Sequence, residues 1–294
     1  MHQGRPRLVP ASDLVGPQRM PYAQTPELRI YYQRRGKGEP LLFIGGVGGD
    51  LRSHPNAFDS ELADRFDILA FDQRGTGQSD KPDTPYDMAQ YARDAAAVMD
   101  AAGWESCHVL GVSFGGMVAQ ELALQFPQRV RSLVLACTTA GGAGGSSYPL
   151  HELSDLSPAD RARKMLAISD TRKNAAWQAA NPEETQRLLQ QAAANAPPFL
   201  KETDGIAGLT RQIEARRHHD TYERLPQIRV PVLVCGGRYD GQATPEAVTA
   251  LQRRIPGAEL QFFDGGHRFL SEDPEAYRAI AEFLQRHAAA RAPV

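Results

Sequence analysis

The chain has 294 residues, a formal net charge of −2 at pH 7 and a hydrophobic share of 41%. This length favours one large domain, or one domain with an insertion, over two independent domains. The near-neutral charge argues against a strongly basic surface, so neither a nucleic-acid partner nor a polybasic membrane contact is expected. Cys107, Cys137 and Cys235 lie apart in apolar runs without C-x-x-C spacing, which predicts buried free thiols and neither a disulfide framework nor a zinc site.

Residues 1–25 form the first predicted segment. They combine proline with polar and charged residues and contain no long apolar stretch, so we predict an irregular arm and not a signal peptide. No run of about 18 apolar residues occurs in the chain, which predicts that no segment spans a membrane. We therefore expect a cytoplasmic protein.

Strand-like apolar runs come next, each closed by a turn signal and often followed by a helical pattern. Continuous apolar runs are typical of a parallel sheet covered on both faces, and strands that alternate with helices predict a doubly wound α/β sheet. The predicted strands are 28–36, 40–46, 66–75, 106–112, 130–139, 230–240 and 258–267. The predicted helices outside the insertion described below are 88–103, 117–126, 245–257 and 274–290.

One long region interrupts this alternation, because no strand pattern appears from 141 to 225. It opens with a glycine cluster that indicates a hinge. Three helical patterns follow, at 157–169, 181–197 and 205–226. We predict a helical insertion at 141–225, mounted on an α/β core made of 26–140 and 226–294.

The first chemical signal is Ser113, which stands in a Gly-x-Ser-x-Gly pattern between a predicted strand and a helix. This context is typical of a nucleophile held on a strained turn, where Gly111 and Gly115 leave room for the tight backbone. The free N–H groups that open the next helix would face developing negative charge. Because a serine hydroxyl is a weak nucleophile at neutral pH, it needs a base and an acid that orients the base.

Two residues near the ends of later strands suit these roles. His267 follows a strand and two glycines, and open α/β sheets bind ligands at the carboxyl ends of their strands. Asp240 follows the preceding strand and is our choice for the acid, with Asp264 as its nearest rival. His54 is a weaker candidate for the base, since no strand end positions it. The chain order of Ser113, Asp240 and His267 is the order expected for this architecture.

The tetrahedral intermediate of acyl transfer also needs hydrogen-bond donors. One is expected to be the N–H of Phe114, the residue after the nucleophile, and the other should come from the glycine-rich loop after the strand at 40–46. Gly46, Val47 and Gly48 are all candidates for this second donor. The loop lacks the Lys-Ser/Thr ending and the spacing of nucleotide-binding motifs, so we expect no cofactor and no metal.

The stretch FDQRGTGQSDKP, residues 71–82, is similar to the D-x-R-G-x-G-x-S loop of the α/β-hydrolases. Together with the motifs above, it gives the chain from 28 to 284 a resemblance to that family, in the branch with a serine nucleophile and a helical cap inserted after the sixth strand. The resemblance implies a structural role for this loop, with Asp72 and Arg74 in ionic or turn contacts.

The resemblance also implies the roles of the site residues: Ser113 is the nucleophile, His267 the base, Asp240 its partner, and the N–H groups of Val47 and Phe114 form the oxyanion hole. One departure stands out. The family usually has His-Gly where this chain has Gly45-Gly46, and this leaves the second oxyanion donor open among Gly46, Val47 and Gly48.

The serine at position 113 distinguishes the chain from the haloalkane dehalogenases and epoxide hydrolases of this fold, which carry aspartate there. The chain resembles the enol-lactonase and perhydrolase branches. This implies a serine hydrolase that cleaves small to medium carboxylic esters through an acyl-enzyme, or a lactonase of the enol-lactone or acyl-homoserine-lactone type. A carbon–carbon bond hydrolase, a perhydrolase, or a ligand receptor that keeps the triad are the alternatives. The expected partner is a small-molecule ester or lactone, and the expected assembly is a monomer or homodimer.

The insertion offers candidate contacts for the substrate. Trp177, Phe199 and Met165 are apolar residues that would line an acyl pocket, although most apolar residues of the insertion should attach it to the core. Residues 216–219, Arg-Arg-His-His, form a basic cluster. This cluster is either a solvated helix face or a contact for an anionic substrate.

Overall fold

The computed structural model describes residues 21–288, and eight strands form its central sheet. In chain order they are β1 (Tyr22–Gln24), β2 (Arg29–Gly36), β3 (Glu39–Ile44), β4 (Phe66–Phe71), β5 (Cys107–Val112), β6 (Val130–Ala136), β7 (Val232–Gly237) and β8 (Glu259–Phe263). The spatial order is β1-β2-β4-β3-β5-β6-β7-β8. β2 is antiparallel to both of its neighbours, and all other adjacent pairs are parallel. The predicted α/β class with a mostly parallel sheet is confirmed.

Nine α-helices complete the part of the chain between residues 21 and 288. They are α1 (Met88–Ala101), α2 (Phe114–Gln125), α3 (Pro158–Ser169), α4 (Ala175–Ala180), α5 (Pro182–Ala194), α6 (Gly205–Arg217), α7 (Pro245–Arg254), α8 (Phe269–Glu272) and α9 (Glu275–Arg286). All seven predicted helices are present. The two unpredicted helices, α4 and α8, have six and four residues, which is too short for a helical period to be visible in the sequence.

Apolar side chains cover both faces of the sheet. The consecutive residues Leu41 and Leu42 of β3 enter different hydrophobic clusters, because successive side chains of a strand point to opposite faces. One cluster includes Tyr91 of α1 and Met117 of α2, and the other includes Phe283 of α9. A sheet buried on both faces explains why the central strands are continuous apolar runs in the sequence.

Residues 137–231, here called the inserted segment, leave the sheet after β6 and return to it at β7. The segment contains helices α3 to α6 and several short 3-10 turns, and its only β pairing is an isolated bridge between Gly141 and Asp220. The predicted insertion at 141–225 falls within these limits. The functional division of the chain at 141 and 225 stays a prediction.

The predicted irregular arm needs a correction at its end. Tyr22–Gln24 form β1, which pairs antiparallel with β2 from Tyr22 opposite Tyr31 to Gln24 opposite Arg29. Three residues are too few for an alternating pattern to be visible, so no sequence pattern marks this strand. The rest of the arm, residues 1–20, lies outside the described residues. Within 21–288, none of the helices has the length and apolar character needed to cross a bilayer.

Candidate active site

Ser113 occupies the single residue between the end of β5 and the start of α2. Its backbone has φ 55° and ψ −116°, a conformation outside the regions that L-residues favour and one that costs on the order of 1–3 kcal/mol. Its N–H donates a 2.8 Å hydrogen bond to the carbonyl of Ala136, at the end of β6. The turn is therefore strained, as predicted, and is tied to the neighbouring strand.

The glycines on either side of Ser113 are required by space. A Cβ atom at Gly115 would overlap the carbonyl oxygen of Ile44, and one at Gly111 would overlap the carbonyl of Gly115 and lie 2.7 Å from the Cβ of Ala119. These contacts confirm that the turn needs small residues at both positions. The backbone at the end of β3 can approach the start of α2 this closely only because position 115 carries no side chain.

The structure brings Ser113, His267 and Asp240 together. His267 Nε2 lies 2.9 Å from Ser113 Oγ, and His267 Nδ1 lies 2.8 Å from Asp240 Oδ2. The side chain of His267 is 15% exposed, and that of Asp240 is fully buried. This arrangement lets the imidazole accept the serine proton at Nε2 while the carboxylate holds its Nδ1–H tautomer.

The carboxylate of Asp240 is held by its own loop. Its Oδ1 accepts hydrogen bonds from the N–H groups of Gln242 and Ala243, at 2.7 and 3.0 Å, which leaves Oδ2 for the histidine. The rival Asp264 has a side chain that is 73% exposed and lies 3.4 Å from Arg172. The structure therefore pairs His267 with Asp240 and not with Asp264.

His54, the weaker candidate for the base, lies outside this arrangement. Its Nδ1 is 2.7 Å from the carboxylate of Asp59, and its side chain is 63% exposed. A histidine that faces solvent and pairs with a local aspartate is typical of a surface contact.

The glycine-rich loop after β3 lies against Ser113, since a Cβ atom at Gly46 would be 3.6 Å from the serine Cβ. The N–H of Gly48 donates a 2.7 Å hydrogen bond to Gln212 Oε1 of α6, so Gly48 is not free to bind an oxyanion. The N–H groups of Gly46, Val47 and Phe114 donate no hydrogen bond to any residue between 21 and 288. These three groups are available as donors.

The 71–82 loop supports the glycine-rich loop. The carboxylate of Asp72 accepts hydrogen bonds from the N–H groups of Leu51, at 2.7 Å, and Gln78, at 2.8 Å. The side-chain amide of Gln73 donates to the carbonyl of Gly45, at 2.8 Å. Burial raises the pKa of Asp72 to about 6, although its two backbone hydrogen bonds act in the opposite direction. The loop thus has the turn contacts that the sequence predicts.

Arg74 makes the ionic contact predicted for this loop. Its guanidinium forms two hydrogen bonds with Asp94 of α1, at 2.6 and 2.9 Å, and both side chains are 3% exposed. A bidentate arginine–carboxylate pair is a geometrically specific contact. It fixes the loop to the helix that packs beside α2.

Among the contacts of the inserted segment with the site, two involve residues that the sequence analysis did not single out. The carbonyl of Ser169, the last residue of α3, accepts a 2.7 Å hydrogen bond from the backbone N–H of His267. The second contact is that of Gln212 with Gly48. Neither residue belongs to a motif, and each acts on a loop far away in the chain, so no local signal could have identified them.

The three predicted pocket residues differ in their surroundings. Phe199 is fully buried and its backbone N–H lies 3.2 Å from Asp50 Oδ2. Its ring lies near the glycine-rich loop, 3.9 Å from the position of a Cβ atom at Gly48. Met165 and Trp177 are only partly buried. Their role as walls of an acyl pocket stays a prediction.

Two clefts on the described surface do not coincide with the site. One, of about 420 Å³, lies between the start of α1 and the end of α6, and the other, of about 310 Å³, lies near Gln227. Neither is lined by Ser113 or His267. The hydrogen-bond geometry of its side chains defines the site, because the depth and volume of a cleft alone carry no chemistry.

The cysteines and possible metal ligands add no second centre to this region. Cys107, Cys137 and Cys235 are free and buried, as predicted. Burial raises the pKa of Cys107 to about 12, so this thiol is unreactive at neutral pH. Among residues 21–288, no group of three or more His, Cys, Asp or Glu side chains is placed to hold a metal ion.

Comparisons with known proteins find hydrolytic enzymes among those that this chain resembles. The chain is 31% identical to "Putative carbamate hydrolase RutD" of Azorhizobium caulinodans over 89% of this chain and 96% of that protein. It is 30% identical to the poly(3-hydroxyalkanoate) depolymerase of Ectopseudomonas oleovorans over 84% of each. The crystal structure of the enol-lactonase from Burkholderia xenovorans LB400 superimposes with a TM-score of 0.71 at 24% identity, covering 90% of this chain and all of that one. Both sequence relatives carry names of hydrolytic enzymes.

The family match extends over most of the chain. Residues 39–274 match the family described as alpha/beta hydrolase fold. This range starts at β3, includes the Ser113 turn and the inserted segment, and ends after His267. The chain therefore belongs to the α/β-hydrolase fold family.

Proposed function

We propose that the protein is a serine hydrolase that cleaves carboxylic esters or lactones through an acyl-enzyme intermediate. The observation that carries this proposal is the pair of hydrogen bonds from Ser113 through His267 to Asp240, at 2.9 and 2.8 Å. Family membership supports hydrolase chemistry in general. We choose esters and lactones as substrates because acyl transfer to Ser113 needs only a base, an acid that orients it and oxyanion donors, and candidates for all of these have been described.

In the proposed mechanism, Ser113 Oγ attacks the substrate carbonyl while His267 Nε2 takes the serine proton. The N–H groups of Val47 and Phe114 bind the resulting oxyanion, and the N-terminal end of α2 faces the same charge. The intermediate collapses as His267 returns the proton to the leaving oxygen, and the alcohol departs. Water, with His267 again as base, then attacks the acyl-enzyme and releases the acid and free Ser113.

The inserted segment is proposed to act as a cap over this site. Its α3 contacts the His267 loop through Ser169, and its α6 contacts the glycine-rich loop through Gln212. Helices held at both points would exclude water and shape the acyl pocket, with Phe199 as one candidate wall. Trp177 and Met165 remain proposed walls on sequence grounds alone.

Carbamates are a second candidate substrate class, because the relative at 31% identity is named for carbamate hydrolysis. A carbamate carbonyl can be attacked by the same serine and bound by the same N–H groups. The polyester named in the second relative, by contrast, favours a simple carboxylic ester. Carbon–carbon bond cleavage and perhydrolysis would use the same nucleophile and remain lesser alternatives.

The decisive experiment is acid release, read with a pH indicator, across alkyl esters, p-nitrophenyl esters and lactones. Carbamates are followed by ammonia release instead, because their hydrolysis gives ammonium and bicarbonate and no net acid. Ser113→Ala should lower the rate by about a millionfold, because members of a triad act as a unit. Ser271→Ala, a change at an exposed serine of α8, serves as the matched control and should match the wild type. If Ser113→Ala kept more than a few per cent of the activity, the proposal would be wrong.

If the wild type hydrolyses none of these compounds, the proposal of ester or lactone cleavage is wrong, and either a ligand receptor that keeps the triad or an enzyme with a narrow, different substrate takes its place. The two are then separated by binding. A receptor would retain the same lactones or esters unchanged at equilibrium, while an enzyme with a narrow substrate would bind none of them.

A further inference from the structure

Helix α6 and the residue pair that follows it cross above the Ser113 turn. Gln212 Oε1 accepts a hydrogen bond from the N–H of Gly48, which follows β3, and His219 Nε2 lies 3.2 Å from the carbonyl of Thr139, which follows β6. In the sheet, β5 lies between β3 and β6. Because Ser113 directly follows β5, the stretch between Gln212 and His219 is carried across the carboxyl end of the strand that presents the nucleophile.

Arg216 lies between these two anchors, one helical turn after Gln212 and therefore on the same face of α6. Its exposure is 6%. Burial lowers the pKa of Arg216 to about 10, so it is still charged at neutral pH. Its guanidinium forms no ion pair or hydrogen bond with any side chain between residues 21 and 288. None of the Arg216 nitrogens is among the fully enclosed atoms that lack a partner, so the guanidinium reaches space that water or a ligand can enter. A largely buried charge without a protein partner is costly, and an anionic ligand in that space would supply the partner.

The neighbouring residues of the basic cluster do not share this position. Arg217 lies 3.4 Å from Glu214, and its side chain is 52% exposed. His218 also contacts Glu214 and is 72% exposed. On sequence grounds, residues 216–219 are either a solvated helix face or a contact for an anionic substrate. The solvated face describes Arg217 and His218, but it does not describe Arg216, which is buried.

Gln212 provides a second unpaired donor on the same face. Its side-chain oxygen must face Gly48, because a backbone N–H can only donate, and this directs Nε2 elsewhere. The Gln212 amide lies towards the hydroxyl of Tyr91, and this contact opposes the rise in the pKa of Tyr91 that burial causes. Nε2 is nevertheless buried without a hydrogen bond of normal geometry within the described residues, and because it carries two hydrogens, one N–H remains for another acceptor. Side chains four residues apart on a helix lie about 5–6 Å apart at Cβ, so one acceptor group can meet both the amide and the guanidinium.

We propose that Arg216 and the Nε2 of Gln212 form a subsite for a carboxylate of the substrate. A carboxylate offers two oxygens and about four lone pairs, which suits the fork of an arginine together with one amide N–H. The substrate is then an ester or lactone that carries a second, free carboxylate. This inference rests on the proposed function and names its substrate class.

The subsite is tested with matched esters of dicarboxylic acids that have four to eight carbons. Each monomethyl ester keeps a free carboxylate, and the dimethyl ester of the same acid is its neutral counterpart. In the wild type, kcat/KM should be higher for the monoester of the best chain length than for its diester. In Arg216→Met the ratio of the two values should fall about 10- to 100-fold, as expected for a lost charge-assisted pair.

Arg217→Met is the matched control, because it removes the next arginine of the helix from a solvent-exposed position, and its ratio should equal that of the wild type. Arg216→Lys keeps the charge without the planar fork and should give an intermediate ratio. An unchanged ratio in both Arg216 variants would overturn the inference.

A binding measurement separates this inference from the proposed function. Glutarate and adipate should raise the unfolding temperature of the wild type and of Ser113→Ala, and should fail to do so for Arg216→Met. If no ester is cleaved but these dicarboxylates still bind through Arg216, the hydrolase proposal fails and the subsite stands. If neutral esters are cleaved and no dicarboxylate or monoester binds through Arg216, the subsite is wrong and the hydrolase proposal stands.

Discussion

The backbone N–H of His267 donates a 2.7 Å hydrogen bond to the carbonyl of Ser169. Ser169 ends α3, and the carbonyl of the preceding residue, Ile168, accepts from the N–H of Gly241 in the loop of the acid. The last carbonyls of a helix have no partner inside the helix. Here the last carbonyls of α3 accept hydrogen bonds from the two loops that carry Asp240 and His267. A shift of α3 would therefore move the residues proposed as the acid and the base.

The first prediction tests this link at Gly266, where a Cβ atom would overlap the carbonyl oxygen of Ser169. Gly266→Ala should push α3 and the His267 loop apart. Displacements of about 1 Å at a reacting group can cost on the order of 100-fold, so we expect kcat on the best ester to fall by roughly that factor. Activity and unfolding temperature should be measured together.

Gly257→Ala is the control for this substitution, since a Cβ atom at Gly257 meets nothing within 4 Å. Gly257 has φ +73°, so some loss of stability is expected there, but no loss of kcat. If Gly266→Ala were as active as Gly257→Ala, the contact with α3 would have no part in positioning the histidine.

The second prediction concerns the acid of the triad. Asp240→Asn keeps an oxygen for the backbone N–H groups of Gln242 and Ala243 but turns an amide N–H₂ towards His267 Nδ1. The histidine then takes the wrong tautomer, and kcat should fall about 10,000-fold. Asp264→Asn changes the exposed rival and should leave kcat close to that of the wild type. A loss that followed Asp264 instead would reverse the assignment.

The proximity of the three residues proposed as the triad could be predicted because each of them follows a strand. Ser113, Asp240 and His267 come directly or shortly after β5, β7 and β8, and parallel strands present their carboxyl ends at one edge of a sheet. The sequence pattern alone therefore predicted that Ser113 and His267, which are 154 positions apart in the chain, lie close together in the fold. The folded geometry agrees with that inference to within hydrogen-bond distance.

The contacts of α6 could not be predicted in this way. Its buried residues include Gln212 and Arg216. Because this inner face is polar, the sequence shows no hydrophobic periodicity that would reveal which residues are buried. In the sequence Arg216 and Arg217 are equivalent neighbours. The hydrogen bond between Gln212 and Gly48 fixes how α6 is rotated about its axis. This rotation turns Arg216 inward and Arg217 to solvent.

The third prediction tests the buried ion pair between Arg74 and Asp94, both 3% exposed. Asp94→Asn removes the charge that compensates the guanidinium, and Glu27, whose side chain is 54% exposed, is its remaining ionic contact. Removal of one partner of a buried pair typically costs about 3–5 kcal/mol of unfolding free energy, and we expect the lower end of this range. Urea denaturation at neutral pH measures it.

The control for this pair is Glu184→Gln, which breaks the exposed contact between Glu184 and Arg187 on α5. Exposed ion pairs contribute little, so its denaturation midpoint should stay close to that of the wild type. A midpoint for Asp94→Asn equal to that of Glu184→Gln would mean that the buried pair does not stabilise the 71–82 loop.

The last prediction is a pH dependence of stability that arises at His219, which is 5% exposed and anchors the end of α6. Burial lowers the pKa of His219 from 6.5 to about 4, although Glu121 and the carbonyl of Thr139 oppose this. Between these two values the unfolded chain binds a proton that the folded chain does not. The stability contributed by neutral His219 is therefore complete above pH 6.5 and is lost as the pH falls towards 4.

The size of this effect follows from the two pKa values. Between pH 7 and pH 5, the free energy of unfolding should fall by about 2 kcal/mol on account of His219 alone. His108 is also buried, with its pKa lowered to about 4, and adds to the wild-type loss, so the variant must be compared with the wild type at each pH. His219→Gln should show a loss smaller by about 2 kcal/mol, whereas His218→Gln, at the adjacent exposed position, should follow the wild type. Equal losses in all three proteins would show that His219 is protonated in the folded state already at pH 5.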